Sequence, residues 1–295
     1  MSTHSLPPYL LVPFVCIILS FVLSTSINGQ KNESGKVNPK LTLNEIVQKH
    51  VESLGGQQAV AAAKTRVLIG AATLSKLGES DKTVSKLSGT AQFATSNGRL
   101  LFAILYQSQA FPFENFAFDG NTISIGKPIS VPTELIGIPK NQGWMIKDGL
   151  FGGPLSANWP LLRYGEVKNR LDLAGTSKIL SKSCYRIKYI PTTGDRTRVT
   201  FYIDTETFQL LRSEYIYVYQ EFFKIPNVGT LSAGSDVIMT EDFSDYGKAG
   251  NLMLPHTQSI TITFGEDPNS DKTQWLIRYE QFYFDETLDS AAFRV

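Results

Sequence analysis

Histidine and cysteine are scarce in this chain, with three His and two Cys in 295 residues. His4 and Cys16 lie near the N-terminus, which leaves His50, His256 and Cys184 for the rest. Nucleophilic hydrolysis needs a nucleophile, a base and an orienting group in contact. Two distant histidines, with no G-x-S-x-G elbow, supply no such set. Zinc needs several His or Cys ligands at short spacing, and these are absent. "GEDPNSD" at 265–271 clusters acids but does not fit an EF-hand loop, and it reads as a hairpin tip. No Walker loop or G-x-G-x-x-G is present, so no nucleotide cofactor is expected. Asp and Glu are plentiful, but nothing singles out a catalytic pair. The expectation is a protein that is not an enzyme, without catalytic residues, metal or cofactor. An excess of one charge is also missing: 28 Lys+Arg against 27 Asp+Glu leaves +1. That balance excludes an extended basic surface for nucleic acid.

Long apolar runs are missing too, except at the start. Residues 9–23, "YLLVPFVCIILSFVL", are uncharged and apolar. The run is shorter than the roughly 20 residues of a membrane span. It fits the apolar region of a signal peptide, and Ser24-Thr25-Ser26 supplies a small-x-small cleavage pattern. The segment before it has no Lys or Arg, so an uncleaved anchor is the alternative. Cleavage would remove Cys16 and leave Cys184 alone, without an internal disulfide. A lone Cys in a strand is commonly a small buried apolar residue. Residues 27–41 read as a polar, flexible leader, with an Asn32-Glu33-Ser34 sequon.

What the chain does have is aromatic side chains: 18 Phe and 12 Tyr, 11% with Trp. Thr42-Leu43-Asn44-Glu45 is a capping box, followed by apolar residues at helical spacing up to Gly55-Gly56. "QQAVAAAK" then reads as a short turn, and His50 as a rim residue of the helix. Beyond it, period-2 alternation dominates. Strands are expected at 65–77, 84–96, 99–108, 113–118, 121–126, 178–190, 197–203, 208–220, 235–245, 257–264 and 273–284. Asn97-Gly98, Asp119-Gly120, Thr193-Gly194-Asp195, Gly247 and Asp267-Pro268-Asn269 supply turn signals. His256, just after Pro255, reads as a structural residue at a strand start. In 208–220, Tyr215, Tyr217 and Tyr219 share one face while Ile216 and Val218 share the other. A strand apolar on both faces needs cover on both, or a ligand on one.

Residues 129–165 break the pattern. They are rich in Pro and Gly, lack alternation and carry Trp144 and Trp159. A long insertion in a compact domain is commonly functional or mobile. It reads as a lid or plug, or as a loop with short helices that fills the core at the open end of the sheet. Residue types alone leave the aromatics either as an ordinary core or as the lining of a hydrophobic cavity.

Several motifs resemble the periplasmic lipoprotein-carrier superfamily, the LolA/LolB-like proteins. They are "ESLGG" (52–56), "FAFDGNT" (116–122), "YRIKYIPTTGD" (185–195), "FYIDTETFQLLRSEY" (201–215), "DFSDYGKAGNLMLPH" (242–256) and "FDETLDSAAFRV" (284–295). The resemblance implies a mainly β (α+β) fold, a curved antiparallel half-open β-barrel of about eleven strands. An N-terminal helix and plugging helices would cover its concave side. The domain plan is signal peptide 1–26, leader 27–41 and a single domain 42–295 with the insertion 129–165. The resemblance also implies a cavity for acyl chains of lipids or lipoproteins, but brings no catalytic motif. No quoted motif places the arginine that gates the cavity in those carriers. The cavity candidates are Phe116, Phe118, Trp144, Trp159, Phe201, Tyr215, Tyr217 and Tyr219. The expected partner is a lipid or an acylated protein, bound by a monomer in the periplasm or cell envelope. The alternative is an envelope sensing or interaction domain with a filled core and a protein partner.

Overall fold

Thr42 opens the first helix as its sequence requires. Its hydroxyl accepts from Glu45 N–H (3.3 Å), while Glu45 Oε2 accepts from Thr42 N–H (2.7 Å). This computed structural model describes residues 41–127, 133–192, 197–225, 229–265 and 272–295, excluding the side chains of Glu79 and of 219–235. The signal-like run, the leader, the sequon, the turns at 193–195 and 267–269 and the start of the insertion lie outside the described residues. Helix α1 (Leu43–Ser53) buries Ile46, Val47, His50 and Val51. Gly55 then takes a left-handed φ of 114°. The Ala-rich segment after it is a second helix, α2 (Gly56–Ala62), rather than a turn. Alanine has the highest helix propensity, so the break at Gly55 redirects the helix without ending helical structure.

Among the described residues, twelve strands form one antiparallel sheet. The first five are β1 (Thr65–Leu77), β2 (Thr83–Ser96), β3 (Arg99–Tyr106), β4 (Phe113–Phe118) and β5 (Ile123–Ile125). After the insertion come β6 (Leu171–Ile179), β7 (Lys182–Tyr189), β8 (Arg198–Asp204), β9 (Leu210–Ile225), β10 (Gly229–Ala249), β11 (Leu252–Phe264) and β12 (Lys272–Phe284). The order β5-β4-β3-β2-β1-β12-β11-β10-β9-β8-β7-β6 leaves β5 and β6 as edges, so the barrel does not close. The fold is the curved, half-open antiparallel sheet that the resemblance implied.

That order explains the insertion. It joins one edge strand to the other, so it must cross the open side of the sheet. It does so with α3 (Glu134–Asn141), α4 (Gly143–Lys147), 3-10 turns at Gly153–Leu155 and Pro160–Arg163, and α5 (Tyr164–Val167). Met145, Leu150, Phe151, Leu155, Trp159 and Leu161 are fully buried, so the plug supplies the middle of the core. Phe151 packs among Phe93, Phe102 and Phe116, with ring centroids 6.2, 5.3 and 5.4 Å away. The convex face carries smaller clusters, one with Phe293 and one with the free thiol of Cys184.

The expected strand 178–190 holds β7 and only the last two residues of β6, which begins before it at Leu171. β6 and β7 meet through Leu180 and Ser181, both at positive φ (49° and 68°). Two left-handed residues make the tight turn that matches strand twist. Neither residue is Gly or Asn, which hides the turn in the sequence. β6 is an edge strand with little burial and a register shift around Gly175, so it lacks an apolar signature. Gly247 lies inside β10, where an added Cβ would sit 2.9 Å from His256 Nε2. Pro255 and His256 lie inside β11 rather than at its start. The β11–β12 pairing covers Thr257 to Thr263, so Pro255 has no ladder bond to lose on that side.

Gly70 lies beside a register shift in the β1–β12 pairing. A Cβ there would lie 1.9 Å from Arg278 O. Gly70→Ala should therefore cost about 1–3 kcal/mol, the usual range for overpacking. A urea midpoint indistinguishable from wild type would contradict this contact.

Candidate functional site

Alternation places three ionisable side chains on the apolar, concave face. Arg66 shares parity with Leu68 and Ala72, Glu114 with Phe116, and Glu241 with Met239 and Phe243. All three are buried. A buried charge or carboxyl needs partners, and each of these finds them at the plug.

Arg66 donates to Ala63 O (3.3 Å), Pro154 O (2.7 Å) and Ser156 O (3.3 Å). Burial pulls its pKa down to about 10. Glu114 accepts from Tyr106 O–H, from Trp275 Nε1 (2.5 Å) and from the hydroxyl of Thr133, the N-cap of α3. Burial raises its pKa. Glu241 accepts from Gly152 N–H (2.9 Å), Gln258 Nε2 (2.7 Å) and the Tyr215 hydroxyl (2.9 Å). Burial pushes its pKa up to about 7.

His50 is fully buried rather than a rim residue. Its Nδ1–H donates to Phe208 O (2.8 Å), since a carbonyl can only accept. Nε2 then accepts from Trp159 Nε1–H (3.4 Å). Burial pulls the imidazole down to about 4 and keeps it neutral. Thus α1 also holds the plug. These groups are bonded internally and position backbone; they are not arranged as an acid–base pair in a cleft. The His256 ring packs on Phe282 at 4.6 Å, tilted by 43°, and among the described residues Nε2 has no hydrogen-bond partner. Among the described residues, no group of three or more His, Cys, Asp or Glu could hold a metal ion.

The plug leaves a groove of about 350 Å³ where α3 lies over β9, β10 and β11. Tyr217, Val237, Ile262 and Phe264 form one wall, and Ile136 and Gly137 of α3 form the other. Thr133, Glu134, Lys140 and Asn141 supply polar groups. Glu134 Oε1 is paired with Lys76 (2.6 Å).

Of the sequence candidates, Tyr217 lines this groove. Phe116, Trp159, Phe201 and Tyr215 are fully buried, and Phe118 is nearly so. Trp159 packs on Phe201 at 4.5 Å, and the Tyr215 hydroxyl reaches Leu150 O and Glu241. Trp144 is buried on α4 and borders a separate surface pocket. The Tyr219 side chain lies outside the described ones. Thus the described candidates divide among a filled core, the groove and a separate surface pocket. Sequence reasoning missed Ile136, Val237, Ile262 and Phe264 as groove residues, and Arg66, Glu114 and Glu241 as anchors. The anchors had a signal: an ionisable residue in phase with the apolar face of a strand.

No family model matches the chain, and no curated protein matches it. Solved structures do. The LolA superfamily protein NE2245 from Nitrosomonas europaea is 9% identical, with 85% of this chain and 97% of that one covered, at a TM-score of 0.47. A DUF1329 family protein from Desulfovibrio piger is 12% identical, with 85% and 96% covered, at 0.38. The Mycobacterium tuberculosis lipoprotein LppX is 10% identical, with 84% and 100% covered, at 0.24. The first of these belongs to the superfamily that the sequence motifs resemble. Among the described residues no helix is long and apolar enough to cross a membrane.

Proposed function

We propose that the protein is an exported, non-enzymatic binder of a hydrophobic ligand, holding an alkyl or acyl chain in the groove beneath α3. The observation that carries this reading is the groove itself. Its volume of about 350 Å³ falls within the usual range for small-molecule sites. Its walls are apolar, and Lys140, Asn141 and Thr133 can meet a polar head group. The plug forms the other wall and is tied to the sheet by hydrogen bonds to Arg66, Glu114 and Glu241. Export to the cell envelope follows in this reading from the apolar run 9–23 and Ser24-Thr25-Ser26.

Gly137 provides a test that spares the core. A Cβ there meets nothing closer than Asn141 Nδ2 at 3.8 Å, and any large residue favours a helix over glycine. Gly137→Trp should fill the groove, leave the melting temperature unchanged or raised, and weaken binding of a fluorescent fatty acid by about tenfold or more, equivalent to about 1.4 kcal/mol. Equal affinity in both proteins would place any fatty-acid site elsewhere.

The filled core favours a second reading, an envelope domain that binds a protein partner. Native mass spectrometry of protein purified gently from its own envelope separates the two. An adduct of acyl-chain mass supports the lipid reading. A clean apo mass that persists after incubation with total envelope lipid supports the partner.

A further inference from the structure

Glu241 meets the plug at its midpoint, and the hydrogens around it can be counted. Its Oε1 accepts from Gly152 N–H (2.9 Å) and from Gln258 Nε2 (2.7 Å). Gln258 Oε1 accepts in turn from Tyr279 O–H (2.8 Å). Glu241 Oε2 lies 2.9 Å from the Tyr215 hydroxyl, which itself lies 3.1 Å from Leu150 O. A tyrosine hydroxyl has one hydrogen to give. With Glu241 ionised, that hydrogen goes to Oε2. Leu150 O then keeps the longer bond from Gly153 N–H (3.3 Å). With Glu241 protonated on Oε2, the acid donates to the tyrosine oxygen and the tyrosine donates to Leu150 O. A continuous chain then runs from β10 through β9 to the plug.

We propose that Glu241 and Tyr215 form a proton-operated latch. Protonation of Glu241 completes the chain to Leu150 and fastens the plug to the concave face. Loss of that proton breaks the chain and loosens the plug.

The surroundings favour the neutral acid. An ionised Glu241 would accept its three bonds more strongly, but its bonded partners are an amide N–H, a carboxamide and a phenol, with no cation among them. Tyr215 on β9 and Tyr279 on β12 are raised by burial and stay neutral. Asp242, next along β10, opposes ionisation as well, and is itself paired with Arg212 (2.6 Å). β11 presents Gln258, and the plug presents backbone. Burial accordingly pushes Glu241 up to about 7. The folded pKa lies above the ordinary 4.5, so the folded state holds this proton more tightly than the unfolded state. The group's contribution to stability is full below about 4.5 and declines as pH rises towards about 7. His50 works in the opposite sense. Its contribution is full above 6.5 and is lost as pH falls towards about 4. Whole-protein melting therefore mixes two opposing slopes, and the latch must be read locally.

Hydrogen–deuterium exchange at the Leu150 amide, which bonds Met145 O (2.8 Å) and not Glu241, corrected for the intrinsic rate, provides that local reading. In the wild type, protection should fall by about tenfold between about pH 5.5 and about pH 8.5, the weight of one buried hydrogen bond. E241Q can accept from Gly152 and donate to Tyr215 at any pH, so its protection should stay high and flat. Y215F removes the relay and should flatten the profile at low protection. A wild-type profile that E241Q reproduces, or protection that rises with pH, overturns the latch. If E241Q does not fold, infrared spectroscopy decides. A protonated carboxyl band lost with a midpoint near 7 and shifted by Y215F supports the latch; a band that Y215F leaves unmoved overturns it. The latch does not depend on what the groove beneath α3 binds, and neither readout uses a ligand.

Discussion

Trp159→Ala should cost about 3–5 kcal/mol of folding stability, the range for removing a fully buried large aromatic side chain. Trp159 is 0% exposed and its ring lies 4.5 Å from that of Phe201. Two contributions add. The cavity left between plug and sheet cannot collapse readily, because the surrounding wall is hydrogen-bonded strand. His50 Nε2 also loses the indole N–H that it accepts. A buried acceptor left without a donor costs about 1–3 kcal/mol, so the total should lie towards the upper end. Chemical denaturation in urea measures it. A loss below about 1 kcal/mol would mean that the plug is not part of the cooperative core. The same substitution opens an apolar space on the concave face. It should raise the fluorescence of an apolar dye under native conditions above the wild-type level.

Arg66→Met should loosen the plug from its other end, at a cost of about 2–4 kcal/mol. The substitution keeps much of the side-chain volume and removes the donors. Pro154 O, Ser156 O and Ala63 O each lose a guanidinium bond. Ser156 O keeps the Trp159 N–H (3.3 Å), while buried acceptors left without partners cost about 1–3 kcal/mol apiece. The gain that offsets this is release from burying a charge, which the lowered pKa of Arg66 records. Buried charges can be replaced at no loss when every partner is replaced too, but here three carbonyls stay behind. Arg66→Lys should fall between wild type and Met, because an ammonium cannot reproduce the planar fork that spans these carbonyls. The checks are a urea midpoint for each variant and binding of the fluorescent fatty acid. Unchanged stability in Arg66→Met would show that desolvation cancels the bonds, and that Arg66 does not hold the plug. Higher fatty-acid uptake in that variant would link plug release to the groove.

Both residues illustrate what could be read in advance. Trp159 stood out as one of the two tryptophans in a segment without alternation, yet sequence left its role divided between plug and core filler. The structure joins the two roles, because the plug is the core. Arg66 sat unnoticed in "TRVLIGAAT" although its parity with Leu68 and Ala72 marks it as inward-facing. Glu241 was equally visible beside Met239 and Phe243. The strands expected at 197–203 and 208–220 are β8 and β9, which pair with each other. The tyrosine face of β9 meets the plug through Tyr215 and the groove through Tyr217.

Local sequence determined most of the sheet. Period-2 alternation located β1, β3, β4, β8 and β12 closely, because a strand buried on one face must alternate. It failed at β6, an edge strand with little burial and a turn made by Leu180 and Ser181 without glycine. The capping box set the start of α1, because its two hydrogen bonds lie within one turn. Tertiary structure alone decided which strands are edges, and so where the segment joining β5 to β6 had to run. It also decided where apolar surface stays open, since a groove is the space that packing leaves between α3 and three strands far from it in sequence. The ionisation of Arg66, Glu241 and His50 belongs to the same class: burial shifts each pKa, and burial depends on neighbours that no local spacing records.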